Sequence, residues 1–163
     1  MSSSTRPALV ALIGNPNTGK TTLFNRLTGK NARVGNYPGV TVDRSLGALP
    51  RSSRPGGVQI LDVPGAYSLN ARSAEEQITF AAVLGREGNP TPDLVAVILD
   101  PNQLSRNLYL ALQVAELGLP VLLVINMIDE AGPTPPDTAA LTKALGLPVV
   151  AVSARTGQGM EAL

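Results

Sequence analysis

Gly14-Asn15-Pro16-Asn17-Thr18-Gly19-Lys20-Thr21 satisfies the pattern G-x-x-x-x-G-K-[ST] in full. A short apolar run, Ala8–Ile13, leads into it, and a helical pattern, Thr21–Thr28, leads out. That strand–loop–helix setting is the one in which the pattern cradles phosphate. The glycines let the backbone fold closely around an anion and turn its N–H groups inward. The N-terminus of the following helix adds the positive end of its dipole. Lys20 supplies a point charge for outer phosphates, and Thr21 offers a hydroxyl to Mg²⁺. Asn15, Pro16, Asn17, Thr18, Gly19 and Thr22 complete the cradle; Thr22 is the less favoured Mg²⁺ hydroxyl, because Thr21 holds the motif position.

Outward from this loop, two kinds of segment alternate. Ala8–Ile13, Val58–Asp62, Leu94–Asp100, Val121–Asn126 and Pro148–Val152 are short and rich in Val, Ile and Leu, as strands covered on both faces are. Helical patterns lie between them at Ala74–Leu84, Leu104–Leu117 and Asp137–Leu145. Leu104, Leu108, Leu112 and Ala115 are expected on one stripe, Gly118 as a stop and Asp137 as an N-cap. Val42–Leu49 is expected as a further strand, turned by Arg51–Gly57 into an antiparallel hairpin with Val58–Asp62. Such alternation predicts a three-layer α/β domain with a mostly parallel sheet and one antiparallel edge hairpin. With the phosphate loop, this is the P-loop NTPase class in its Ras-like G-domain form. Met160–Leu163 looks like the first turn of a further helix, so the chain is expected to be a fragment of something longer.

Three further boxes follow at strand ends. Asn126-Met127-Ile128-Asp129 reads as N-x-x-D, a guanine-recognition box. The Asp129 carboxylate can accept from guanine N1–H and the 2-amino group, donors that adenine lacks at those positions. Met127 stands where a lysine is usual, and its thioether stem can cover the base face without charge. Asp62-Val63-Pro64-Gly65 reads as D-x-x-G, with Asp62 holding Mg²⁺ through water and the Gly65 N–H sensing a γ-phosphate. Ser153-Ala154-Arg155 resembles the S-A-[KRT] loop, whose backbone N–H meets the guanine oxygen. Thr41, within the Gly-rich segment Val34–Asp43, is the candidate switch threonine for Mg²⁺ and γ-phosphate.

Composition narrows the classes. The 163 residues carry Lys+Arg 13 against Asp+Glu 12, a net charge of +1, which argues against a nucleic-acid clamp. Cysteine and histidine are both absent, so thiolate or imidazole metal sites and Ser-His or Cys-His catalysis are excluded. Hard oxygen-ligand cations remain. The apolar runs are far shorter than the ~20 residues of a spanning helix.

The run GNPNTGKTTLFNRLTGKNARVGNYPGVTVD (14–43) closely resembles the amino-terminal G domain of the ferrous iron transport protein B (FeoB) family. LDVPGAYSLNARSAEEQ, SRNLYLALQVAELGLPVLLVINMID and LGLPVVAVSARTGQG are similar to its later segments, in order. The resemblance implies a GTP-binding, slowly GTP-hydrolysing switch domain at the cytoplasmic face of the bacterial inner membrane. It implies helical and transmembrane domains in the same longer chain, regulation of ferrous iron transport, and the small FeoA protein as a partner. It also implies K⁺ stimulation through Asn17, with backbone carbonyls around residues 36–39 completing the shell; the alternative role for Asn17 is bracing the loop. Thr18 departs from the family's usual Ser or Cys. Ala66-Tyr67 follows Gly65, with no Gln to orient the attacking water. Lys20, Asn17, Thr41 and Gly65 are therefore the residues expected to bear on hydrolysis. Two other readings stand beside this one: a regulatory guanine-nucleotide module with negligible hydrolysis, and a ribosome-assembly-type GTPase. A P-loop ATPase or kinase is disfavoured by N-x-x-D.

Overall fold

The structure, a computed structural model, describes residues 6–29, 32–36, 43–50 and 54–163. Among them, seven strands form one sheet: β1 (Ala8–Gly14), β2 (Ala32–Asn36), β3 (Asp43–Ala48), β4 (Val58–Asp62), β5 (Leu94–Leu99), β6 (Val121–Ile125) and β7 (Val149–Ala151). Four α-helices accompany them: α1 (Lys20–Thr28), α2 (Ala74–Leu84), α3 (Leu104–Glu116) and α4 (Thr138–Leu145). The strand order is β2-β3-β4-β1-β5-β6-β7. β4, β1, β5, β6 and β7 run parallel, while β3 pairs antiparallel with both β4 and β2.

The period-2 alternation of the strands sorts side chains to two faces. Leu9, Ala11 and Ile13 of β1, Val95, Val97 and Leu99 of β5, and Leu123 and Ile125 of β6 face one core. Ile78, Ala82 and Val83 of α2 and Leu110, Ala111 and Val114 of α3 pack there. Leu12, Ala96, Ile98 and Val124 face the other, against Leu23 and Phe24 of α1. A strand buried on both sides must be apolar at consecutive positions, which is why these runs were readable. Each fully buried aliphatic side chain contributes about 1.5–3 kcal/mol.

The elements agree with the expected ones, with three differences. The edge carries two antiparallel strands: β2 takes up residues 32–36, so Val34–Asn36 of the expected Gly-rich switch segment are hydrogen-bonded strand. The face of α3 also differs. Asn107, Leu110, Ala111 and Val114 are buried, Leu104 and Leu108 are partly buried, and Leu112 is 46% exposed. A repeat of four residues advances 40° beyond a full turn each time, so Leu104–Leu108–Leu112 drifts off the buried face. Asn107 is buried because its Oδ1 accepts from the Asp100 N–H at 2.7 Å. The last residues form a single 3-10 turn, Met160–Ala162. Asp137 caps α4 as expected, accepting from the Ala140 N–H at 2.9 Å.

Candidate functional site

Parallel strands end on the same side of a sheet, so the loops after β1, β4, β6 and β7 converge at one edge. Those loops are the four sequence boxes. Residues 14–21 leave the central strand, 62–65 leave its neighbour, and 126–129 and 153–155 leave the far strands. An open cavity of about 380 Å³ lies there, lined by Asn15, Pro16, Asn17, Gly19, Lys20, Thr21, Thr22 and Gly65.

The phosphate loop is braced from inside. Thr18 is buried, and its hydroxyl donates to the Asn15 carbonyl at 3.0 Å. Gly19 sits at φ +78°, and a Cβ there would lie 2.5 Å from Asn126 Nδ2, so no other residue fits without displacing the buried amide. Gly65 also approaches Pro16, less tightly: a Cβ would lie 3.2 Å from the Pro16 Cα. The Ala66 N–H donates to the Gly14 carbonyl at 3.0 Å, tying the loop after β4 to the phosphate loop. Asn17 is exposed at the cavity with a left-handed backbone (φ 67°). Thr21 and Thr22 are exposed on the first turn of α1. Lys20 forms an ion pair with Asp62, both side chains largely buried at 10% and 18% exposure. The charge expected to meet phosphate and the carboxylate expected to face Mg²⁺ therefore neutralise each other in this structure.

Asn126, the first residue of N-x-x-D, lies inside the molecule. It is 1% exposed and pins three loops together. Its Nδ2 donates to the carbonyls of Thr18 (3.0 Å) and Gly19 (3.3 Å), and its Oδ1 accepts from the Ala154 N–H (2.9 Å). Met127 is half-buried with φ 60° and lies over Gly19, its Sδ 3.5 Å from where a Cβ would stand. Asp129 is paired with Arg155, whose Nε donates to Oδ2 at 2.9 Å. The Ser153 hydroxyl, followed by the Arg155 guanidinium, holds the Asp129 carboxyl below the usual aspartate range. Ser153 is fully buried, and its Oγ also accepts from the Thr156 N–H at 3.1 Å.

Sequence reasoning missed Arg26. From α1 its Nε donates to the Ala154 carbonyl and its Nη2 to the Arg155 carbonyl at 2.8 Å, anchoring the 153–155 loop to the helix that carries Lys20. No local pattern distinguishes such an arginine from a solvated one. Thr41 and residues 37–40 lie outside the described residues. Segment 63–73 is tied to its neighbours: the Leu69 N–H donates to Gln113 of α3 at 2.8 Å, and Arg106 lies 4.6 Å over the Tyr67 ring.

The donors around the cavity are oxygens: the Thr21 hydroxyl, the Asp62 carboxylate and the amide oxygens of Asn15 and Asn17. This set suits hard cations such as Mg²⁺ and K⁺. The buried Asn15 Oδ1 has no hydrogen-bond partner among the described residues, which leaves a lone pair for a water or a cation. Among those residues no group of three or more acidic side chains is placed to hold a metal ion. No helix among them is long and apolar enough to cross a membrane.

Comparison with known proteins places this arrangement. The family model described as ferrous iron transport protein B matches residues 8–163. A Fe(2+) transport protein A/FeoB fusion protein of Porphyromonas gingivalis is 46% identical over 157 residues, covering 94% of this chain and 18% of the relative. The Fe(2+) transporter FeoB of Salmonella typhimurium is 44% identical over 160 residues, covering 94% and 20%. The chain thus spans about a fifth of the length of these curated relatives. Among solved structures, a GDP-bound variant of the S. thermophilus FeoB G domain superposes with a TM-score of 0.86 at 41% identity, covering 95% of this chain and 57% of that one. The G domain of the T. maritima FeoB transporter gives 0.85 at 39% identity, covering 96% and 94%. The family match, the sequence identities and the superpositions agree, and the chain belongs to the ferrous iron transport protein B family.

Proposed function

We propose that this domain binds GTP and GDP at the sheet edge, hydrolyses GTP slowly, and serves as the nucleotide switch of a longer ferrous iron transporter. One observation carries the reading: boxes for phosphate, Mg²⁺ and guanine lie at the ends of parallel strands along one edge of the sheet, with Asn126 tying the two guanine boxes to the phosphate loop. Asn15 to Thr22 would wrap the phosphates, with Lys20 turning from Asp62 toward their charge. Thr21, Asp62 and Thr41 would hold Mg²⁺, which supplies neutralisation of phosphate charge. Asn17 would hold K⁺, and Gly65 would report the γ-phosphate. Asp129 would accept from the base edge, Met127 would cover its face, and Asn126, Ser153, Ala154 and Arg155 would build the wall around it. The relatives' GDP-bound structures support guanine as the base. Ala66 and Tyr67 offer no carboxamide to orient water, which supports slow turnover in the absence of a partner.

The rest of the proposal concerns the longer protein. Its further domains would lie at and in the bacterial inner membrane, with this domain on the cytoplasmic face. The fused relative supports FeoA as a partner. Nucleic acid is not part of the reading, given the near-neutral charge. The test is phosphate release from GTP with Mg²⁺, in KCl and in NaCl at equal ionic strength. Slow release, faster in KCl, is expected. Equal slow rates would remove K⁺. Tight GDP binding with no release in either salt would replace hydrolysis by a binding-module role. A preference for ATP would overturn the reading altogether.

A further inference from the structure

The Asp129 carboxylate already has an occupant. The Arg155 guanidinium bonds Oδ2 through two of its nitrogens, Nε at 2.9 Å and Nη2 in the ion pair. A guanidinium places N–H donors on adjacent nitrogens of one planar carbon. The recognition edge of guanine, N1–H and the 2-amino group on one carbon, is that same fork. The two therefore compete for one acceptor. Loss of either leaves a largely buried carboxylate short of donors, since its side chain is 12% exposed.

We propose that Arg155 is an internal stand-in for guanine: it holds Asp129 while the pocket is free of a base and is displaced when a base enters. This rests on reading Asp129 as the guanine acceptor. The surroundings fit a side chain that leaves while its loop stays. The Arg155 side chain is 70% exposed and lies on the solvent side of the pair, so it can rotate into water. Its backbone is held: the Arg155 carbonyl accepts from Arg26 at 2.8 Å, and the Ala154 N–H donates to Asn126 at 2.9 Å. The Ser153 hydroxyl favours the ionised form of the same carboxylate. The competition lowers guanine-nucleotide affinity and slows association, so Arg155 sets how readily the site is filled and emptied.

Binding of GDP, followed by calorimetry and by stopped-flow with a fluorescent GDP, tests this in the wild type, Arg155→Ala, Asp129→Asn and the double variant. Arg155→Ala should bind GDP about two- to fivefold more tightly, through faster association, the factor an exposed ion pair supplies. Loss of a cation would by itself weaken binding of an anion, so a gain has no net-charge explanation. The gain should shrink as ionic strength rises and the pair is screened. In the Asp129→Asn background, Arg155→Ala should bring no gain in xanthosine diphosphate binding, because the contested carboxylate is gone. Unchanged or weaker GDP binding by Arg155→Ala, or an equal gain in both backgrounds, would overturn the proposal. The underlying reading fails by a separate result: if Asp129→Asn kept its preference for GDP over xanthosine diphosphate, Asp129 would not be the base acceptor, and both would fall.

Discussion

Two non-glycine residues at the site adopt left-handed backbone, Asn17 (φ 67°) and Met127 (φ 60°). Asparagine tolerates this region; for methionine it costs about 1–2 kcal/mol. Met127 holds the conformation where the chain turns from β6 to set residue 129 beside Arg155, with the Ile128 N–H on the Val152 carbonyl at 3.3 Å and the Glu130 N–H on the Met127 carbonyl at 2.9 Å. Strain of this kind gathers at binding sites, where the surrounding contacts over-determine it. At this scale the base assignment is open to chemistry. Asp129→Asn exchanges an acceptor for a donor–acceptor pair, so selectivity should move from guanosine toward xanthosine nucleotides; competition between GTP and xanthosine triphosphate measures it. Asn17→Ala should abolish the difference between KCl and NaCl in phosphate release. A variant that kept its KCl response would take Asn17 out of the cation site.

The helix α1 joins the two ends of the proposed nucleotide site. Its N-terminus carries Lys20 and Thr21, and its last turn carries Arg26, bonded to the carbonyls of the 153–155 loop. The 14–21 and 153–155 loops, the proposed phosphate cradle and base wall, are therefore tied together through α1 and Asn126. Arg26→Ala removes a charged donor from two carbonyls and frees the loop that presents Ser153 and Arg155. GDP affinity should fall about three- to tenfold, measured by calorimetry, while the thermal midpoint moves little. An unchanged affinity would show that Asn126 holds the loop alone. The α2 helix is fixed independently, with Ser73 Oγ accepting from the Glu76 N–H at 3.1 Å.

For the molecule as a whole, one charged clip lies on the chain before the parallel core. Asp93 pairs with both terminal nitrogens of Arg6 (2.7 and 3.0 Å) and accepts from the Leu9 N–H at 2.8 Å. The hydrogen bond from Arg6, then that from Leu9, holds its carboxyl below the usual aspartate range. A carboxyl depressed in the folded state stabilises above the unfolded aspartate pKa, and that contribution is lost as pH falls through the depressed value. Asp129 acts in the same direction. The urea midpoint should therefore fall as pH is lowered through the aspartate range. Asp93→Asn should lower the midpoint at neutral pH and flatten the acid limb. An acid limb as steep as wild type would show that other carboxylates govern it.

What the sequence determined by itself was whatever depends on neighbours a few residues away. The β1, β4, β5, β6 and β7 runs declared themselves because burial on both faces demands consecutive apolar residues. The phosphate loop declared itself because close backbone approach demands glycine at fixed spacing, and the Asp137 cap because its acceptor reaches a backbone N–H three residues on. What only the tertiary structure decided depends on residues far apart in the chain. The buried face of α3 is set by the sheet it meets, which is why Asn107 is inside and Leu112 outside. The strand β2 exists through pairing with β3, since Ala-Arg-Val-Gly-Asn has no apolar run to announce it. Arg26 reaches a carbonyl 128 residues away. The pairing of Lys20 with Asp62, and of Arg155 with Asp129, likewise needs strand ends brought side by side. A charge carries no record in the sequence of the partner that folding will give it.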